Sequence, residues 1–443
     1  MRVPASLLLA AIAVAGASPA FAQSDDPRIA QVVAQVSPER LEQTVATLAA
    51  FGTRHTLSTQ DAPGRGIGAA AQWIHRELTA ASARLRVAFD DYTIPPQGDR
   101  IVREVRVRNV VAVLPGRSPR RIYVTGHYDT VARPETPAGA AAAFDWADGD
   151  LPAPGANDDG SGTALTMEAA RVLAGSGIEF EATLVFVAFA GEEQGLVGAH
   201  LHAQRAVAEA LTIDAVFNND IIGNSMGGNG VANAATVRVF SEGPEDSASR
   251  QVARYVRRVA ATYVPAHRVQ LIARHDRFGR GGDHTAFNQR GFAGVRFSEA
   301  AENYGRQHLV TDTPDGVDPA YLARNTRVNV AAVASMALAP SAPRVTSERG
   351  APLLDRQPSG YDARLRWRAV DGAVRYRIVW REAWTPDWQF ERTVGTVTEV
   401  VLPGVSIDDT VFGVAAIGPG GHESVVSAYV NPPRRPVEIA VKP

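Results

Sequence analysis

Thr183-Leu184-Val185-Phe186-Val187-Ala188-Phe189 runs directly into Ala190-Gly191-Glu192-Glu193. Seven residues whose single polar side chain is a threonine, closed off by glycine, read as a strand buried on both faces. Strand-length apolar runs recur on either side of it, at Val107–Leu114, Ile122–Thr125 and Ile213–Phe217. Alanine-rich stretches of helical character, Gly162–Ala174 and Ser247–Ala261, lie between them. Further back, Leu41, Val45 and Leu48 recur at helical spacing behind Ser37-Pro38, a helix start, and a second helix is predicted over Ala69–Leu78. Doubly buried strands interleaved with helices predict a three-layer α/β/α domain around a mostly parallel sheet.

The texture changes at Ala339-Pro340-Ser341-Ala342-Pro343. Beyond it come short alternating runs separated by turn residues: Ala363–Trp367, Val374–Trp380, Glu399–Leu402 and Val411–Ile417. They predict a small all-β sandwich over residues 342–432. Its Trp380, Trp384 and Trp388 read either as packing residues or as a face for a surface or polymer. At the other end, Met1-Arg2, the aliphatic stretch Leu7–Val14 and Ala20-Phe21-Ala22 form a signal peptide over residues 1–22. That stretch is shorter than the roughly 20 apolar residues a membrane crossing needs. The expectation is therefore a protein that does not sit in a membrane, secreted or periplasmic, with a catalytic domain over residues 23–340.

Composition narrows the chemistry. The 443 residues are 45% hydrophobic and carry a formal net charge of −2 without a basic run, which argues against nucleic acid as a partner. There is no cysteine, so thiol nucleophiles, iron–sulfur clusters and thiolate zinc sites are excluded. The only lysine is Lys442, which excludes P-loop, Schiff-base and Ser-x-x-Lys chemistry in the body of the chain. Serine, histidine, carboxylates, arginine and any metal they hold remain.

In open α/β sheets ligands collect at the carboxyl ends of the strands. Past Ile122–Thr125 come Gly126-His127-Tyr128-Asp129, past Thr183–Phe189 come Glu192-Glu193, and past Ile213–Phe217 come Asn218-Asn219-Asp220. Asn157-Asp158-Asp159-Gly160-Ser161-Gly162 is a turn entering a helix, and Gln307-His308 lies further on. Each piece alone has an ordinary reading, as a surface histidine, an N-cap or a solvated glutamate pair. Their joint placement at one sheet edge is the signal. Imidazole and carboxylate without sulfur suit zinc before cobalt or manganese. In an extended segment His127 and Asp129 point the same way, so the aspartate is expected to accept the second imidazole N–H. Adjacent glutamates suit a metal ligand beside a general base. Gly223-Asn224-Ser225-Met226-Gly227 offers a competing reading, a serine hydrolase elbow with Ser225 as nucleophile. The glycine-rich sequence after it is a poor helix start.

The order His-x-Asp, Asp-Asp-Gly-Ser-Gly, Glu-Glu, Asp, His resembles the two-zinc aminopeptidases of metallopeptidase family 28, such as bacterial leucyl aminopeptidase and aminopeptidase Y. The resemblance spans about residues 40–336, including Phe51-Gly52-Thr53-Arg54-His55 and Gly282-Asp283-His284-Thr285-Ala286-Phe287. It implies one zinc on His127 and Asp220, a second on Glu193 and His308, and Asp158 bridging both. Glu192 would be the general base, deprotonating a water between the metals, Asp129 the partner of His127, and a peptide N-terminus the substrate. The Asp158-Asp159 bond would be cis. A metallo-carboxypeptidase and a glutaminyl cyclase share the scaffold and are the alternatives. Where several relatives carry a carbonyl-polarising tyrosine before the last histidine, this chain has Gln307, which leaves Tyr304 and His284 as candidates. More weakly, Trp367, Tyr376, Leu402, Val414 and Ser424 resemble a fibronectin type III module.

Overall fold

The computed structural model describes residues 25–133, 143–358 and 360–432; the expected signal peptide lies outside them. Eight strands form one twisted sheet: β1 (Arg86–Ile94), β2 (Val105–Leu114), β3 (Arg121–His127), β4 (Thr183–Phe189), β5 (Ile213–Asn219), β6 (Thr236–Ser241), β7 (Arg268–Ile272) and β8 (Gly294–Glu299), in the order β1-β2-β4-β3-β5-β8-β6-β7. The central pairings β4–β3, β3–β5 and β5–β8 are parallel, as is β6–β7. Antiparallel pairings enter towards the edges, at β1–β2, β2–β4 and β6–β8. The mostly parallel sheet expected from the sequence is thus present, with four of its seven pairings parallel and the antiparallel ones towards the edges.

Helices α1 (Pro27–Ala34), α2 (Pro38–Ala50), α3 (Gly66–Ala81), α4 (Gly160–Gly175), α5 (Val197–Ala208), α6 (Ala248–Tyr263), α7 (His284–Asn288) and α8 (Pro319–Leu338) cover the two faces. One face buries Leu165, Leu173, Val256, Val330 and Val333 from α4, α6 and α8 in the main core. The other packs Tyr123, Val185, Val187 and Phe189 against α5 and α7. Ser37 caps α2 by accepting from Arg40 N at 3.2 Å, with Pro38 at the first helical position, as the sequence predicts.

After residue 340 two antiparallel sheets share a separate core of Leu365, Trp367, Tyr376, Ile378, Phe412 and Val414. One holds β9 (Leu354–Arg356), β10 (Ala363–Arg366) and β13 (Glu399–Leu402); the other holds β11 (Arg375–Glu382), β12 (Phe390–Val394), β14 (Thr410–Ile417) and β15 (Ser427–Ala428). This unit docks on α6 and the turn before it. Arg381 makes a two-pronged contact with Asp246 at 2.7 and 2.8 Å, and Arg257 meets Asp387 at 2.6 Å. Trp388 lies in this seam, its indole N–H donating to Gln251 at 3.3 Å, while Trp380 stacks on Phe390. Two of the three tryptophans therefore serve packing; only Trp384 is exposed. Asp26 ties the N-terminal helix to the same unit through His422 at 3.0 Å. Hydrogen bonds from Arg28 hold the Asp26 carboxyl down to about 2. Among the described residues no helix is long and apolar enough to cross a membrane.

Candidate metal centre

β3, β4 and β5 end side by side, and the residues past them turn toward one cavity of about 320 Å³. His127, Asp158, Glu192, Glu193, Asp220 and His308 all line it, so the six side chains expected at the sheet edge do meet. His127 Nε2 is 3.4 Å from Asp158 Oδ1 and 3.9 Å from Asp220 Oδ1. His308 Nε2 is 3.0 Å from Asp158 Oδ2 and 3.3 Å from Glu193 Oε1. Two groups of three result, His127–Asp158–Asp220 and Asp158–Glu193–His308, each with its ligand atoms within 4.8 Å of one another. Asp158 belongs to both.

The chemistry of these donors calls for cations. Apart from the single His308 ring nitrogen that faces both, Asp158 Oδ2 and Glu193 Oε1 are buried without a hydrogen-bond partner among the described residues. Burial, with Glu193 and Asp220 nearby, holds the Glu192 carboxyl well above its ordinary range. Burial likewise raises Glu193. Burial alone would raise Asp158 too, yet His308 and His127 hold it well below the usual carboxylate range. Four carboxylates crowded out of water are costly unless positive charge compensates them. Nitrogen and oxygen donors in threes, with room left in the cavity, fit zinc.

The fold fixes each donor by contacts that a sequence pattern does not show. Asp159 caps α4 through Gly162 N at 2.8 Å and also accepts from His127 N at 3.0 Å, joining the helix to the end of β3. The Asp158–Asp159 peptide bond is cis. Asp312 accepts from Asn157 N and Asp158 N at 3.0 and 2.9 Å, and burial pushes its carboxyl up to about 7. Arg296, on β8 and fully buried, reaches Asp220 Oδ1 at 2.8 Å and Asp276 at 3.0 Å. Despite burial, the Arg296 guanidinium keeps Asp220 below the usual range. His308 leaves the β8–α8 connection with φ of 55°, a left-handed conformation that non-glycine residues hold only where surroundings enforce it.

Asp129 acts differently from expectation. Its carboxylate lies 3.7 Å from His127 Nδ1, beyond hydrogen-bond reach, and the ring nitrogen instead faces the Asp129 main-chain carbonyl at 3.2 Å. The carboxylate is engaged elsewhere: Oδ1 and Oδ2 accept from Glu192 N and Glu193 N, both at 3.1 Å. Asp129 thus sets the glutamate turn, while its backbone orients the imidazole so that Nε2 faces the cavity. The tyrosine substitutes are also displaced. His284 is fully buried, with Nε2 3.2 Å from the His275 carbonyl, and Tyr304 is exposed; neither lines the cavity. Gln307 is drawn away by Arg280 at 2.9 Å and Glu302 at 3.0 Å. Ser225 is followed by a turn instead of a helix, and its hydroxyl makes no hydrogen bond among the described residues, so no nucleophile elbow forms.

Arg54 is the support that the sequence reading noted only as part of a longer piece. Fully buried, it donates to the carbonyls of Tyr128, Leu48, Pro154 and Gly155 at 2.6–2.9 Å, clamping the end of β3 to the loop that carries Asp158. Burial lowers its pKa to about 10, which still leaves it charged at neutral pH. Arg54→Ala leaves these carbonyls short of a donor and is expected to destabilise the fold by about 3–5 kcal/mol. Denaturant unfolding measures this; a change below about 1 kcal/mol contradicts the clamp.

The sequence model of Peptidase family M28 matches residues 109–333, a span that includes every ligand candidate above. A probable zinc metalloprotease of the fungus Leptosphaeria maculans is 36% identical over 434 residues, covering 90% of this chain and 96% of its own length. Among solved structures, the LapA aminopeptidase of Legionella pneumophila superposes with a TM-score of 0.54 at 19% identity, over 71% of this chain and 76% of that one. The glutaminyl cyclase of Porphyromonas gingivalis does so with a TM-score of 0.52 at 17% identity, over 67% and 97%. These two likenesses are of fold. The family match covers half the chain and the fungal relative spans nearly all of it, and on both grounds this chain belongs to peptidase family M28, the zinc metallopeptidases.

Proposed function

We propose that the protein is an exported aminopeptidase that binds two zinc ions and hydrolyses N-terminal residues from peptides. The observation that carries this reading is the sharing of Asp158 between two three-donor groups. His127 and Asp220 would hold one zinc, Glu193 and His308 the other, and Asp158 would bridge both. Bound there, the ions supply Lewis acidity that polarises the scissile carbonyl and eases deprotonation of water. Glu192 is the remaining cavity carboxylate, its Oε2 4.0 Å from His127 Nε2. In this reading it takes the proton from the attacking water and returns it to the leaving amine. Asp129 holds the Glu192–Glu193 turn in register, and Arg296 keeps Asp220 ionised. The choice of the amino end follows the likeness of the ligand order to leucyl aminopeptidases and the name of the solved LapA neighbour. Two donor groups favour hydrolysis over single-zinc cyclisation. Export rests on the segment over residues 1–22, and the sandwich is read as fibronectin type III-like from its paired sheets.

Removal of metal tests the reading. Treating the purified protein with a strong chelator is expected to abolish cleavage of an aminoacyl amide, and added zinc is expected to restore it. The N-acetylated amide is expected to resist cleavage throughout. Turnover that survives in metal-free protein, or faster cleavage of the N-blocked substrate, overturns it.

A further inference from the structure

The same cavity has a positively charged side that metal binding does not explain. Arg100, Arg277 and Arg280 line it along with the six carboxylates and histidines. Arg277 is neutralised, pairing with Asp276 at 3.1 Å and Glu302 at 2.8 Å. Arg280 stands 3.8 Å from Glu302, which Arg238 and Arg277 already engage, so three guanidiniums share one carboxylate. Arg100 makes no ion pair among the described residues. It is nevertheless held in place, donating to the Glu193 carbonyl at 2.9 Å and lying 4.6 Å over the Trp146 ring. Trp146 stacks on Phe144 at 4.8 Å, and Phe144 meets the edge of His308 at 5.7 Å, so this cation is anchored to the wall beside a metal-ligand candidate.

Charge counting gives the arginines a meaning. Asp158, Glu192, Glu193 and Asp220 carry four negative charges when ionised, which two divalent cations would cancel. Arg100 and the partly neutralised Arg280 then leave the cavity net positive. An arginine held by a carbonyl at Nη1 and by an aromatic face, with Nη2 left without a partner among the described residues, suits a carboxylate. At about 320 Å³ the cavity sits at the small end of ligand sites, which suits a short substrate.

We propose that Arg100 and Arg280 recognise a substrate carboxylate close to the scissile bond, so that the preferred substrates are very short peptides with a free C-terminus, dipeptides foremost. The proposal rests on the peptidase reading above and adds the substrate class. An acidic side chain in the second position offers the same chemistry, and the test separates the two sources.

With the zinc-loaded full chain, kcat/KM is measured for Leu-Leu, for Leu-Leu amide, for Leu-Asp amide and for N-acetyl-Leu-Leu. Binding of the first three to the Glu192→Gln protein is followed by calorimetry, which reads recognition without turnover. The free acid is expected to exceed Leu-Leu amide by about tenfold or more in both measurements, as a charge-assisted contact provides. Arg100→Gln and Arg280→Gln are each expected to shrink that ratio, mainly through KM. Leu-Asp amide matching Leu-Leu assigns the recognition to either carboxylate; Leu-Asp amide matching Leu-Leu amide assigns it to the C-terminus alone, and both support the proposal. Equal handling of Leu-Leu and its amide overturns it while leaving the peptidase reading intact, as does a ratio that neither arginine variant alters. Cleavage of N-acetyl-Leu-Leu in preference to Leu-Leu keeps the carboxylate contact but overturns the amino-end assignment. If the zinc-loaded chain cleaves none of the four substrates, the peptidase reading itself fails.

Discussion

Glu192→Gln lowers kcat on an aminoacyl amide by about 10²–10⁴-fold, the range a positioned general base provides, and leaves zinc content unchanged. The two halves of this expectation come from one geometry. Glu192 stands outside both three-donor groups, although its neighbour Glu193 is inside one. Glutamine is nearly the same shape, so the turn held by Asp129 at 3.1 Å from both amide nitrogens is kept. What is lost is an acceptor for the proton of water. Steady-state kinetics with metal analysis on the same preparation separates the roles: a variant within tenfold of the parent is incompatible with Glu192 as base, and one that loses zinc makes Glu192 a ligand.

Asp158→Ala has the opposite signature, the loss of metal from both positions together. Removing a partner behind a ligand commonly weakens metal binding by about 10- to 100-fold, and a ligand shared by two ions must exceed that. Its two oxygens face different histidines, Oδ1 toward His127 at 3.4 Å and Oδ2 toward His308 at 3.0 Å. Residual activity is expected below about 1% of the parent, because Lewis acidity and water activation go together. The loop itself is expected to hold, since Asp312 grips the main chain at residues 157 and 158 and Asp159 caps α4. Asp220→Ala provides the contrast: it empties one position only. Zinc counted after dialysis checks both, and retention of two ions by the Asp158 variant contradicts the bridge.

The parts of this architecture that were legible in the sequence share a physical property: their burial is uniform. Thr183–Phe189 and Ile213–Phe217 lie at the sheet centre, where both faces are covered, so apolar runs announce them. Ser37-Pro38 and Asp159-Gly160 carry their helix starts in side-chain chemistry that needs no tertiary context. β1 was not legible, because an edge strand exposed along much of its length keeps polar residues such as Arg86, Asp91 and Thr93. α8 hides for the reverse reason: fifteen of its twenty residues are buried, which removes the amphipathic period.

The same division runs through the site. Ligand types at strand ends could be read, since the sheet edge supplies their convergence. Arg54, Arg296 and Asp312 could not, because one charged residue in a row looks the same whether it faces solvent or the interior. Their roles arise from contacts many residues away, Arg296 with Asp220 and Asp312 with Asp158. Asp129 shows the middle case. Alternation placed it beside His127 correctly, but two amide donors from the β4 turn claim its carboxylate and leave the imidazole to its backbone.

The measurement that bears most directly on all of this is the number of metal ions per chain. Elemental analysis of the purified full-length protein, equilibrated with zinc and dialysed, should give two zinc ions per chain, with cleavage of an aminoacyl amide rising as they are restored to stripped protein. A chain that binds none, or that reaches full activity with one, contradicts a centre built around a shared Asp158.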